Sequence, residues 1–112
     1  MMNEQKFIQL MTYKNLDDGA ALVLNWATKL PDHYKCFSSG TNRISFRLPG
    51  KETNCNSRNA FLTILLGING FRYLLNGEGV DMNNQQNWIS SNYDELDSQE
   101  FLEAVKLNYK NR

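Results

Sequence analysis

The stretch that decides the fold class is Asn-Arg-Ile-Ser-Phe-Arg-Leu at residues 42–48. Its apolar residues fall at every second position from Ile44 to Leu48, and polar residues fall between them. This period of two is typical of a strand with one buried face. The pattern therefore predicts an antiparallel strand that projects Arg43 and Arg47 away from the core.

The chain before this strand predicts its partner. Turn-forming residues at 38–42 follow a short mixed segment at 33–37. Serine, glycine and asparagine in succession favour a tight chain reversal. Residues 33–48 are therefore predicted to form a small antiparallel hairpin.

Helical patterns flank this hairpin on both sides. Apolar residues at helical spacing predict helices over 4–13 and 16–30, with Asn3 and Asn15 as their N-caps. The run Asp97-Ser98-Gln99-Glu100 resembles a capping box with Asp97 at the cap, and it predicts a C-terminal helix.

The segment 57–76 fits two structures. Apolar residues spaced three and four apart from Phe61 to Leu75 favour a further helix, kinked near Gly70. The dipeptide Asn69-Gly70 between two apolar runs favours a hairpin instead. We predict the helix, followed by a polar loop over 79–90. The expected fold is α+β, with about four helices around a small antiparallel hairpin near residues 33–48, in a single globular domain over residues 1–112.

Composition restricts the class of protein. The 112 residues are 41% hydrophobic and 12% aromatic, which argues against intrinsic disorder. Twelve basic and twelve acidic side chains give a net charge of zero, which excludes a uniformly basic nucleic-acid coat. No apolar run reaches the roughly 18–20 residues of a membrane span, so we expect no membrane partner. The N-terminus shows no signal-peptide pattern, so we expect a cytoplasmic protein with Cys36 and Cys55 as free thiols.

The motifs that carry chemistry are incomplete. His33 and Cys36, with Cys55 further along, lack the second ligand pair of a structural zinc site. The glycines match no phosphate-binding loop, and the chain has one histidine. We therefore predict a non-enzymatic protein with no catalytic residue, no cofactor and no metal.

The distribution of charge is the most informative feature of the sequence. Residues 31–75 carry six basic and two acidic side chains, whereas residues 76–112 carry three basic and seven acidic ones. Side chains from both segments are the candidate binding residues. They are Lys35, Arg43, Arg47, Lys51 and Arg58 on the basic side, with Lys35 expected beside the two hairpin arginines, and Asp94, Glu95, Glu100 and Glu103 on the acidic side.

Three interpretations fit this layout. The acidic helix packs beside the basic hairpin and offsets its charge, or one of the two surfaces docks a protein partner, or the basic face binds nucleic acid. An open hairpin edge also permits homodimerisation by strand pairing. The high asparagine content is typical of AT-rich phage and mobile-element genes. We therefore predict an accessory protein that binds and inhibits or modulates a larger protein, as anti-defence inhibitors and immunity-like proteins do; the alternative is a small nucleic-acid-binding module.

Overall fold

The structure is a computed structural model that describes residues 2–38, 40–50, 59–77 and 87–112. Within these ranges the chain forms three α-helices, Glu4–Tyr13 (α1), Asp17–Trp26 (α2) and Gln99–Lys110 (α3). It also forms five strands, Tyr34–Ser38 (β1), Arg43–Arg47 (β2), Ala60–Leu66 (β3), Gly70–Leu74 (β4) and Ile89–Asn92 (β5). The predicted α+β class is confirmed.

The strands form one antiparallel sheet in the order β1-β2-β3-β4-β5. The hairpin predicted near residues 33–48 is confirmed as β1 and β2, in which Phe37 pairs with Ile44 and Ser38 with Arg43. It is one end of a larger sheet rather than an isolated hairpin, because β2 also pairs with β3 along its length.

The helix predicted over 57–76 is wrong. The chain there forms β3 and β4, which reverse at a turn where the Gly67 N–H donates to the Gly70 carbonyl at 2.9 Å. β3 is central in the sheet and is buried almost throughout. A strand buried on both faces is apolar at consecutive positions, so its sequence also satisfies a helical period. The described chain therefore has three α-helices instead of about four.

The polar loop predicted over 79–90 is wrong at its C-terminal end. Ile89–Asn92 forms β5, while residues 78–86 lie outside the described residues. Gly70 allows this strand to pair, since a Cβ atom there would meet the Ser91 carbonyl oxygen and the Asn92 Cα. β5 was missed because four mostly polar residues carry almost no periodic signal.

The helix caps agree only in part with the predictions. Asn3 caps α1, and its side-chain oxygen accepts from the Lys6 N–H at 2.8 Å, as predicted. Asn15 does not cap α2, because its φ of 61° places it in the left-handed turn between the two helices. The cap of α3 is Ser98 rather than Asp97, and its hydroxyl accepts from the Phe101 N–H at 3.3 Å.

The helices pack on one face of the sheet, which we call the helix-covered face. Trp26 of α2 lies edge-on to Phe46 of β2, with ring centroids 6.4 Å apart, and stacks on Phe101 of α3 at 5.1 Å. Phe7 of α1 packs on Phe37 of β1 at 4.9 Å. These contacts form one hydrophobic core, whose sheet side chains include Ile44, Phe46, Leu62, Ile64, Leu66 and Phe71.

The expectation of two free thiols is wrong. Cys36 is disulfide-bonded, and the chain has one other cysteine, Cys55, which lies outside the described residues. The sequence favoured thiols only through the expected reducing compartment, not through any feature near the cysteines.

No helix in the described ranges has both the length and the apolar character needed to span a bilayer.

The single histidine is half-buried beside the core. His33 lies edge-on to Phe46 and Phe61, with ring centroids 5.5 and 6.3 Å away. Its Nδ1 lies 2.8 Å from the Pro31 carbonyl oxygen. Burial lowers the pKa of His33, and the hydrogen bond with the Pro31 carbonyl opposes this shift in part. Lys35 and Asp32 have smaller effects, which lower and raise the pKa respectively.

We therefore expect stability to fall as the pH is lowered from about 7.5 to about 5.5. The unfolded histidine, with a pKa near 6.5, takes up a proton in this window before the folded one does, so acid favours unfolding. Thermal unfolding at several pH values measures the effect. In a His33→Gln variant the slope across this window should disappear, and an unchanged slope would exclude His33 as its source.

Candidate docking surface

The structure separates the basic residues that the sequence grouped together. Arg43 and Arg47 lie on the sheet face opposite the helix-covered face, as predicted. Lys35 pairs with Phe46 and therefore lies on the helix-covered face, so the expectation that it joins the two arginines is wrong. Lys51 and Arg58 lie outside the described residues.

Arg47 is on the expected face but is not available at the surface. Only 6% of the residue is exposed. Burial lowers the pKa of Arg47, and Tyr34 opposes that shift. A guanidinium in this position cannot meet a partner without leaving its site, so Arg47 is better explained as part of the fold.

Four residues on four neighbouring strands form a row on this face, and two of them are exposed. Arg43 pairs with Leu65, Leu65 with Arg72, and Arg72 with Ser90. We call Arg43, Leu65, Arg72 and Ser90 the arginine row. Two strand spacings separate the Cα atoms of Arg43 and Arg72, which is roughly 10 Å. Arg72 and Ser90 are exposed, and Arg43 and Leu65 are half-buried.

An aromatic ring orients the first cation of the row. The Arg43 guanidinium carbon lies 5.4 Å from the ring centroid of Trp88, in cation–π geometry. Partial burial lowers the pKa of Arg43, but an arginine remains protonated at physiological pH. Trp88 therefore limits the freedom of a charged side chain before any partner arrives, which reduces the entropic cost of binding.

A shallow groove lies beside the second cation. It has a volume of about 500 Å³ and is lined by Leu65, Arg72, Ser90 and Asn92 and by the turn residues Asn69 and Gly70, among others. The groove thus combines one cation, the apolar residues Leu65, Leu66 and Phe71, and several neutral polar groups. Such a lining suits an acidic segment better than a wholly apolar one.

The acidic candidates lie on the other side of the sheet. Asp94 and Glu95 belong to a 3-10 turn at Tyr93–Asp97, and Glu100 and Glu103 belong to α3. α3 packs on the helix-covered face, where the rings of Phe101 and Tyr73 are 4.8 Å apart.

One further interaction places Glu95 on that side. Tyr73 is on the helix-covered face, and burial together with Glu95 raises its pKa. Glu103 accepts from the Gln99 side chain within α3. These acids therefore do not face the arginine row. The described residues thus do not support the interpretation in which the acidic helix packs beside the basic hairpin and offsets its charge.

The two edges of the described sheet differ. At the β1 edge, Phe37 packs on α1, Cys36 is disulfide-bonded and Lys35 adds a charge. At the β5 edge there is no charged residue and no proline, and Ile89 is 50% exposed. Charges, prolines and covering elements are the usual protection of an edge strand. By these criteria β5 is the less protected edge.

Arg72 and Ser90 are the residues of this surface that sequence reasoning missed. The helix predicted over 57–76 assigned Arg72 to a polar helical side, and β5 was not predicted at all. The Asn69-Gly70 signal would have placed Arg72 in a strand, on the face opposite Phe71 and Tyr73.

No group of three His, Cys, Asp or Glu side chains is placed to hold a metal ion in the described part of the chain. Comparison of the chain with protein-family models, with curated proteins and with solved structures finds no match.

Proposed function

We propose that this is a non-enzymatic protein that docks onto a larger protein through the arginine row and inhibits or modulates it. By this proposal it is an accessory protein of the phage or mobile-element type, such as an anti-defence inhibitor or an immunity-like protein. The observation that carries the proposal is the position of the half-buried Arg43 and the exposed Arg72 in one row of the sheet, with the described acidic candidates on the opposite side of the sheet.

This separation of charge suits recognition of an acidic surface. Among the described residues, the acidic candidates lie on the other side of the sheet from the arginine row, so they would not repel the acids of a partner there. Charge complementarity of this kind raises both specificity and association rate. Leu65 lies between the two arginines and offers an apolar contact at the same place. Arginine is also enriched among the residues that dominate the binding energy of protein interfaces.

A nucleic-acid-binding module is the second candidate, and the stacking of Arg43 on Trp88 favours it because single strands bind such platforms. The number of exposed cations argues for the protein partner instead. Of the three predicted basic residues that the structure describes, Arg47 is buried and Lys35 lies on the other face. Few phosphate contacts give weak, salt-sensitive binding.

Affinity capture from a lysate of the protein's own cell, with and without nuclease, tests the proposal. The wild-type chain is compared with the double variant Arg43→Glu/Arg72→Glu. The matched control is Lys106→Glu/Lys110→Glu, which makes the same change of charge on α3. We expect the wild type and the control to retain the same protein after nuclease treatment, and the double variant to retain about tenfold less or lower.

The other outcomes separate the alternatives. Equal retention by the Arg43→Glu/Arg72→Glu variant would overturn docking through the arginine row. Recovery of nucleic acid, or of proteins that nuclease removes, would favour the nucleic-acid module. In a further variant, four acids are changed to lysine: Asp94, Glu95, Glu100 and Glu103. If this variant loses the partner while the arginine variant retains it, the docking surface lies on the acidic side.

The compartment in which the partner is met is part of the proposal. We place it in the cytoplasm, as the sequence predicts. The disulfide at Cys36 is the observation against this placement, because disulfides are rare in reducing compartments. Thiol alkylation of the protein taken directly from its cell decides between a reducing and an oxidising compartment.

A further inference from the structure

We infer that the docking partner supplies an extended segment, alternately acidic and apolar, that adds to the sheet as a sixth strand beside β5. This inference rests on the proposed function and specifies the partner's chemistry. The segment's backbone pairs with the outer side of β5, and its acidic side chains reach Arg72 across Ser90.

The first observation is the open edge. β5 is the last strand in the order of the described sheet, so its outward backbone groups have no strand partner among the described residues. Extended peptides commonly bind by adding to such an edge, where main-chain hydrogen bonds supply affinity. The exposed, uncharged residues of β5 place no charge or proline in the way.

The second observation is the register, which fixes the pattern of the added strand. Ser90 belongs to the arginine row, whereas Ile89 extends the apolar row of Ile64 and Tyr73 on the helix-covered face. Successive residues of a strand alternate between faces. A residue placed beside Ser90 thus meets the cation, and its neighbour placed beside Ile89 meets an apolar surface.

The third observation is that Arg72 can reach this position. An added strand lies two strand spacings from β4, roughly 10 Å away. Between them stands Ser90, whose short side chain does not fill the gap. Long side chains interact with diagonal neighbours about 7–8 Å away on one face of a sheet, and the combined lengths of an arginine and a glutamate side chain span the remaining distance. A glutamate on the added strand can therefore pair with the exposed guanidinium of Arg72.

Charge complementarity selects this occupant over a second copy of the chain. Pairing of β5 with β5 of another molecule would place Ile89, Ser90, Ser91 and Asn92 against the edge, and none of these carries a carboxylate. Arg72 would then face neutral polar side chains, and its charge would gain no partner. An acidic segment satisfies both the edge and the cation.

The test measures binding of a fluorescent peptide of four Val-Glu repeats by polarisation. We expect saturable binding that weakens about tenfold or more in Arg72→Glu, and that is unchanged in Lys110→Glu. A Val-Lys peptide of the same length should not bind. Two otherwise identical Val-Glu peptides, N-methylated at every valine or at every glutamate, keep their charges but lose alternate backbone donors. The peptide whose methyl groups point at β5 should bind about tenfold more weakly or worse.

The outcomes distinguish strand addition from arginine docking. If both N-methylated peptides bind as tightly as the parent peptide and still depend on Arg72, strand addition is overturned while the proposed function stands. If no acidic peptide binds, although capture of the partner depends on the arginines, the extended acidic segment is likewise overturned. A dimer detected by sedimentation that Ile89→Lys dissociates would assign the edge to a second copy and also overturn the inference. If capture itself is indifferent to Arg43→Glu/Arg72→Glu, the proposed function fails first.

Discussion

A Gly70→Ala variant is expected to lose the pairing of β5 with β4. The new Cβ atom would meet the Ser91 carbonyl oxygen and the Asn92 Cα, and both are backbone atoms that cannot turn aside as a side chain does. Overpacking of this kind costs about 1–3 kcal/mol. Hydrogen exchange should therefore show faster exchange of the β5 amides, and binding of the Val-Glu peptide should fall with it, because the same strand forms the docking edge.

Gly40→Ala is the matched control, since a Cβ atom at Gly40 has no heavy atom within 4 Å. Its free energy of unfolding should change by no more than about 0.5 kcal/mol. Both variants make the same chemical change in the same class of residue. Equal stability and equal exchange of β5 in the two variants would contradict the close approach of β5 to Gly70.

An Asn108→Asp variant is expected to lower the free energy of unfolding by about 2–4 kcal/mol, through the loss of two hydrogen bonds and repulsion between oxygens. The Asn108 Nδ2 donates to the Phe61 carbonyl at 2.6 Å and to the Asn76 carbonyl at 2.8 Å. These bonds tie α3 to β3 and to the chain that follows β4. A carboxylate in the same place has no donor for either carbonyl. Denaturant unfolding measures the loss.

The sign of the pH dependence identifies the cause. The carbonyls raise the pKa of the introduced carboxyl in the folded state, so the destabilisation should grow as the pH rises above about 4 and shrink in acid. Asn111→Asp is the control, on an exposed residue at the end of α3. It should cost only about 0.3–1 kcal/mol through the helix dipole. An equal loss in both variants would exclude the carbonyl contacts as the cause.

The parts of the fold that the sequence could predict are those in which polar and apolar residues follow a clear period. β2 was predictable because its arginines and Ser45 alternate with Ile44 and Phe46 on opposite faces, although Ser45 and Arg47 are themselves buried. α1 begins where Asn3 provides a cap. β3 could not be separated from a helix in the same way, since its central position buries consecutive residues and removes the alternation. The Asn69-Gly70 dipeptide favoured a hairpin there, and β3 and β4 form one.

The candidate site was predictable only for Arg43. The burial of Arg47 depends on packing between distant parts of the chain, which no local pattern records. The face of Lys35 depends on the register set by the turn before β2, where a shift of one residue reverses every side chain. Arg72 joins the row when β4 pairs with β3, and Ser90 joins it when β5 pairs with β4, so their role required the tertiary structure.

The most direct measurement of the central claim is an amide and side-chain NMR titration of the full chain with the Val-Glu peptide. The account predicts that the signals of Arg72 and Ser90 shift in proportion to saturation, while those of Glu100 and Glu103 on α3 stay in place. Shifts confined to α3, or no shift at the arginine row at peptide concentrations that saturate binding, would contradict docking through this face.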